Sequence, residues 1–249
     1  LASNDSRPTL LLLHGGGLGP WSYNRHVSAL ASDFRCLVPL LASHGSRVHE
    51  PFVWHEAVKE LAAYLESEGG PAYVTGLSLG GQLGLALAAE RPDLVCGLFV
   101  TGANTNGIPM VGATMKVMRP FMRLKNIAWF SRLNAKQMSV PPKELAAFLE
   151  GSRGLTMQAM RSFLQASSDF RAPDGLRQFD KAALVVRGEK ESGVIKRSVP
   201  EVAAMIPAGH GRMVPKLSHP WPLQNPGLFV EVCRRWFLDG VIPDGLVSI

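Results

Sequence analysis

The chain has 249 residues, 46% of them hydrophobic and 18% charged, a balance that excludes a disordered polymer and fits one well-buried α/β core better than two independent domains. Its formal net charge of +6 is modest and comes with no nucleic-acid-binding motif, so no nucleic-acid partner is expected. No apolar run approaches the roughly 20 residues that cross a bilayer, and Leu1 to Pro8 has neither a basic start nor an apolar stretch, so a cytoplasmic location without a signal peptide or membrane span is expected.

Taken in chain order, Thr9 to Leu13 is a short apolar run that empties into His14-Gly15-Gly16-Gly17, the pattern of a buried strand ending in a glycine loop. A helical stretch from about Trp21 to Ala31 leads to a second strand, Phe34 to Leu41. Phe52 to Leu65 sets Val53, Ala57, Val58, Leu61 and Leu65 at helical spacing, with Glu56, Lys59 and Glu60 on the other face. Apolar Ala72 to Thr75 runs into Gly76-Leu77-Ser78-Leu79-Gly80, and the alanine-rich helix from Gln82 to Ala89 is stopped by Arg91-Pro92. Val95 to Thr101 is another buried strand, Ala182 to Arg187 is the last clear one, and Pro226 to Leu238 is a closing helix. This alternation implies an α/β fold with a mostly parallel sheet and helices on both faces. Cys36 and Cys96 lie in apolar strand-like runs and Cys233 in the closing helix, so all three are expected as buried structural thiols; no pair has metal or redox spacing.

Gly-x-Ser-x-Gly between a strand and a helix is the chemically informative pattern. A serine on a sharp strand-to-helix turn presents its hydroxyl to a substrate, and the flanking glycines tolerate the strained backbone and the close approach of the helix. Serine alone is a poor nucleophile and needs a base, an orienting acid and an oxyanion hole. In a parallel sheet these groups belong on loops at the carboxyl ends of the strands, where His14, Ser78 and the loops after Thr101 and Arg187 all fall. Leu79, next after the serine, directs its amide toward such a hole at the helix start.

The run His14 to Gly17, the segment Pro39 to Ser46 ending His44-Gly45-Ser46, the elbow continuing as Gly80-Gly81, and the late His219 together resemble the α/β-hydrolase superfamily. The resemblance covers roughly residues 9–101 and 180–238. It departs in Pro39-Leu40, where the family usually has Pro-Asp, and in the short stretch before the first strand, which implies that the leading antiparallel strands are trimmed. It implies that Gly16, ahead of Gly17, supplies the second oxyanion amide, with His14 a structural loop histidine. The order serine, acid, histidine leaves His210 and His219 as bases. His219, followed by Pro220-Trp221-Pro222-Leu223-Gln224-Asn225-Pro226 and then Phe229, matches the family's closing loop, and His210 reads as a solvated turn residue between Gly209 and Gly211. The family's acid typically sits three residues beyond a glycine after the penultimate strand; Gly188 puts Glu191 in that slot, with Glu189 as the alternative. Asp180 precedes the strand, on the wrong edge of the sheet.

Residues 103–179 fall where the family inserts a helical cap, leaving 1–102 and 180–249 as the core of the same domain. This interval has four Lys and seven Arg against two Glu and two Asp, so 11 minus 4 gives +7, and it holds Met110, Met115, Met118, Met122, Met138, Met157 and Met160 of the nine methionines. The methionines suit a soft apolar underside, and the charges read as a solvated face, with an anionic substrate or a membrane surface as alternatives. Helices are expected around Thr114 to Leu133, interrupted by Pro120, then Pro142 to Leu149 and Leu155 to Ser167. The resemblance implies a serine hydrolase acting on a small-molecule carboxylic ester or lactone with an apolar portion, without metal or organic cofactor. The same constellation also serves thioesters, C–C bond cleavage and some lyases, and a binding module that keeps the fold without turnover is the alternative from another class.

Overall fold

A computed structural model describes residues 6–107, 120 and 122–249. Among them, seven strands form one sheet in the order β2-β1-β3-β4-β5-β6-β7. Strands β1 (Thr9–Leu13), β2 (Arg35–Leu37), β3 (Ala72–Leu77), β4 (Val95–Thr101), β5 (Ala183–Gly188) and β6 (Gly209–Val214) run parallel, and β7 (Val247–Ser248) pairs antiparallel with β6. The helices are α1 (Asn24–Leu30), α2 (Trp54–Ser67), α3 (Leu79–Glu90), α4 (Ala128–Gln137), α5 (Leu145–Gly154), α6 (Met157–Asp169), α7 (Gly193–Met205), α8 (Trp221–Gln224) and α9 (Pro226–Arg234), the last continuing as a π turn over Arg235–Asp239.

The strands read as unbroken apolar runs because both faces of the sheet are covered. Leu11, Leu13, Val74, Leu98, Val100 and Val185 point into a core shared with α2, α3 and α7. Their neighbours Leu10, Leu12, Phe99, Leu184 and Val186 point the other way, onto Phe229, Val232 and Trp236 from the closing helix and its π turn. The sheet is thereby fixed in register from both sides, and its carboxyl edge becomes a rigid platform.

Four expectations need correction. β2 is only three residues long, because the chain leaves the sheet before Pro39, which has no amide to donate to a ladder. β5 is not the last strand: β6 follows it, and only Val214 of its Gly-His-Gly-Arg-Met-Val sequence is buried, so no apolar run marks it. His210 is therefore a strand residue rather than a turn residue, paired with Leu184 near the amino end of β6 and set edge-on to Trp236, with ring centroids 5.6 Å apart. Cys96 is exposed and Cys36 half-buried; only Cys233 is buried. The register explains Cys96: Ala72 pairs with Val95 and Tyr73 with Gly97, so Cys96 is the extra residue of a bulge and is turned out of the core.

Between β4 and β5 lie α4, α5 and α6. The part of the expected first helix at 114–119 and 121 lies outside the described residues, as do Met110, Met115 and Met118. α6 is capped by Thr156, whose side chain accepts from the Ala159 amide at 3.0 Å. Its inner face is anchored to the sheet layer by Phe52 N–H on Ser162 Oγ (2.8 Å) and Trp54 Nε1–H on the Ala166 carbonyl (3.1 Å). Buried Gln82 of α3 adds two more bonds, donating from Nε2 to the Ser167 carbonyl (2.9 Å) and accepting at Oε1 from Ser167 Oγ (2.7 Å).

Candidate active site

Ser78 joins β3 to α3 with φ +55° and ψ −115°, a conformation that L-residues rarely adopt and that costs energy to hold. The strain is held from both sides: Ser78 N–H donates to the Thr101 carbonyl (2.8 Å), and the Ser78 carbonyl accepts from Gln82 N–H (2.9 Å). The turn is possible only with glycine around it. A Cβ on Gly76 would stand 2.3 Å from the Gly80 carbonyl oxygen, and one on Gly80 would stand 2.0 Å from that of Leu13.

Leu79 opens α3, so its amide has no partner within the helix. Facing it is the glycine loop after β1, where a Cβ built on Gly16 would lie 3.9 Å from Leu79 Cβ. The alternative donor, Gly17, gives its amide to His44 Nε2 at 2.8 Å, whereas among the described residues the Gly16 amide donates to no protein acceptor. His14 is buried and structural in its bonding: Nδ1–H donates to the Gly15 carbonyl (3.0 Å) and Nε2 accepts from Leu41 N–H (3.2 Å). Burial, reinforced by nearby His44, pushes its pKa down to about 3. His44 donates from Nδ1 to the Ala42 carbonyl (2.9 Å), is likewise held neutral by burial, and stacks on Phe163 of α6 at 4.9 Å. Where Pro39-Leu40 lacks an aspartate, Arg47 shapes the loop instead, donating to the Leu40 carbonyl (3.0 Å) and pairing with Glu50 and Glu60.

At the same edge, the loops leaving β5 and β6 are tied together by Glu189 N–H on the Val214 carbonyl and Lys190 N–H on the Leu217 carbonyl, both 2.9 Å. This brings Glu191 to His219, whose Nδ1 lies 3.0 and 3.1 Å from the two carboxylate oxygens. The Glu191 side chain is 2% exposed and that of His219 is 37% exposed. A carboxylate on Nδ1 fixes the proton there and leaves Nε2 as the basic nitrogen. Glu189 is exposed, and its Oε2 accepts from Lys216 N–H. His219 is steadied by its own loop, in which Gln224 bridges the amide and hydroxyl of Ser218 (3.0 and 2.8 Å) and buried Trp221 donates from Nε1 to Thr101 Oγ1 (2.5 Å).

Ser78, Leu79, Gly16, His219 and Glu191 thus all stand at the carboxyl edge, while His210 is at the opposite end of its strand. No hydrogen bond joins Ser78 Oγ to His219; the two meet through the end of β4. Thr101 holds the Ser78 amide, and Gly102, at φ +64°, lies so close under the imidazole that a Cβ there would be 2.9 Å from His219 Cε1 and 3.3 Å from Glu191 Oε1. Bonds between a nucleophile and its base often reach their working length only in the substrate complex. The positioning parts of Gln82, Gly102 and Phe163, and the bond between Trp221 and Thr101, were not legible in the sequence, because each depends on a partner far along the chain. Among the described residues, no group of three or more His, Cys, Asp or Glu could hold a metal ion, and no helix is long and apolar enough to cross a membrane.

Known proteins resemble this chain in sequence and in fold. The chain is 27% identical over 257 residues to an AB hydrolase superfamily protein of Gibberella zeae, covering 99% of this chain and 86% of that one. It is 24% identical over 246 residues to a pimeloyl-[acyl-carrier protein] methyl ester esterase of Aeromonas hydrophila, covering 92% and 95%. Among solved structures, the enol-lactonase from Burkholderia xenovorans superposes with a TM-score of 0.76 at 21% identity, over 95% of this chain and 93% of that one. The model of the Alpha/beta hydrolase family matches residues 10–232, and the chain belongs to that family.

Proposed function

We propose that this hydrolase cleaves a carboxylic ester or lactone with an apolar portion, through an acyl-enzyme on Ser78. The observation that carries the reading is the pairing of a buried Glu191 carboxylate with His219 Nδ1, at the edge where Ser78 is held in a strained elbow. Ser78 Oγ attacks the carbonyl carbon while His219 Nε2 takes its proton, and the Leu79 and Gly16 amides receive the charge that develops on the carbonyl oxygen. As the tetrahedral intermediate collapses, the imidazolium returns the proton to the leaving alkoxide, which departs as an alcohol from an ester or remains as the hydroxyl of the opened acyl chain from a lactone. Water then attacks the acyl group with His219 again as base, releasing the acid and restoring Ser78. Glu191 keeps Nε2 as the free base and stabilises the imidazolium. The chemistry requires no metal or organic cofactor.

Residues 103–179 serve as a cap on the core formed by 1–102 and 180–249, with Phe163 and Met160 as its apolar underside; both are buried. That one relative is a methyl ester esterase and a structural neighbour is an enol-lactonase agrees with ester or lactone chemistry. The test is a panel of p-nitrophenyl esters of increasing acyl length, with simple lactones and thioesters beside it. Hydrolysis of esters or lactones by the wild type, lost in Ser78→Ala, is expected. Turnover of thioesters alone, or binding without turnover, would assign the site to another reaction or to ligand binding.

A further inference from the structure

The helices between β4 and β5 carry an outward face that the chemistry above does not use. On α4, Trp129 is 63% exposed and Leu133, one turn later, is 47% exposed, with Ile127 at 40% just before the helix begins. Arg132 and Lys136 are exposed at positions that interleave with them, so residues 129, 132, 133 and 136 share one side of the helix, and Arg123 is exposed nearby. The opposite side, Ser131 and Ala135, is buried. Lys125 is sorted away from this face: it is buried, and its ammonium donates to the carbonyls of Ser152, Arg153 and Leu155 at the end of α5.

Charge tells what the face fits. From Ala103 to Lys143 the sequence has seven Lys and Arg and no Asp or Glu, so no carboxylate from this stretch neutralises the cations or repels an anion. An indole and two aliphatic side chains set among arginine and lysine suit the headgroup zone of an anionic bilayer. There the indole sits at the interface, the aliphatic groups reach the acyl boundary, and the cations meet lipid phosphates. We propose that the Trp129, Leu133, Arg132 and Lys136 face of α4 docks the protein on an anionic lipid surface. Docking would give the site access to apolar esters at their source, but it needs no turnover and stands apart from the reaction proposed above.

The test is co-sedimentation of the full chain with vesicles of mixed phosphatidylglycerol and phosphatidylcholine, against phosphatidylcholine alone. Running it with Ser78→Ala as well as wild type separates docking from catalysis. Expected are salt-sensitive binding to the anionic vesicles only, equal for both proteins, and a blue shift of tryptophan emission that disappears in Trp129→Phe. Trp129→Ser with Leu133→Ser and, separately, Arg132→Glu with Lys136→Glu should each lower partitioning by about tenfold or more, with unfolding midpoints unchanged. Absence of binding, equal binding to neutral vesicles, or binding unaltered in either pair would overturn the proposal. So would duplex-DNA binding that survives Trp129→Ser, or a dimer that shields Trp129 and leaves the vesicles unbound.

Discussion

Both carboxylate oxygens of Glu191 lie within hydrogen-bonding distance of His219 Nδ1, at 3.0 and 3.1 Å, so the imidazole is bracketed rather than merely touched. The carboxylate is nearly inaccessible to water while the ring keeps an open side, which suits a fixed acid behind a working base. Glu191→Gln is therefore expected to lower kcat on a chromogenic ester by about 10²- to 10⁴-fold with little change in KM. Glu189→Gln should stay within about threefold, because its carboxylate is occupied by the Lys216 amide, and should cost only about 1 kcal/mol of stability. Equal losses in the two variants would contradict the assignment.

Gly102 is expected to set the height of the imidazole above the sheet. Gly102→Ala would push a methyl group against His219 Cε1 and would hold alanine at φ +64°. Steady-state kinetics should show kcat falling by about tenfold or more, since small displacements of a base are costly. Thermal unfolding should show a loss of about 1 kcal/mol from the backbone strain.

The contact of Gly16 with Phe163 gives a paired test. A Cβ on Gly16 would meet the Phe163 ring at 2.9 Å, so Gly16→Ala must displace either the ring or the amide assigned to the oxyanion hole. Gly16→Ala alone should lose about 2 to 4 kcal/mol of transition-state stabilisation. Adding Phe163→Ala should restore part of kcat, because the obstacle is a side chain and its removal lets the loop return. If the double variant were no faster than Gly16→Ala, the obstruction would not be this ring.

Much of the candidate site was legible because it is written in local sequence. The elbow shows in sequence as Gly-x-Ser-x-Gly, with Gly76 required by the carbonyl of nearby Gly80, and the strands β1, β3, β4 and β5 feeding the edge are apolar runs buried on both faces. What was hidden depends on partners far along the chain. Gln82 lies in an alanine-rich helix and gives no sign that its amide spans to Ser167. β6 is too polar to read as a strand, and α7 contains Pro200, which ordinarily argues against a helix interior. The bulge that exposes Cys96 is a property of the β3–β4 register and not of either strand alone. Glu189 and Glu191 differ only in which way a loop turns after Gly188, and the bonds to the Val214 and Leu217 carbonyls decide it.

Stability should fall in mild acid for a reason tied to the buried histidines. Burial is the main cause that pushes His14 down to about 3 and His26 to about 4, and it also lowers His44. These rings stay neutral in the native state and take up protons once unfolded, so the unfolded chain binds more protons below about pH 6.5. The stabilisation is complete above that pH and is lost as pH falls toward the native values. Urea unfolding between about pH 6.5 and 5 should give a positive slope of stability against pH, approaching two to three protons, or about 3 to 4 kcal/mol per pH unit at its steepest. His26→Gln, away from Ser78 and able to keep a donor to the Pro222 carbonyl, should reduce that slope by about one proton. A flat or negative slope would contradict the neutral, buried state of these rings.

Covalent labelling tests the central claim most directly. Folded wild-type protein treated with a fluorophosphonate and digested for mass spectrometry should carry one adduct, on Ser78. Labelling should be absent in Ser78→Ala, strongly slowed in His219→Ala, and unchanged in His210→Ala. A folded wild type that remains unlabelled, or an adduct on any other residue, would contradict the account.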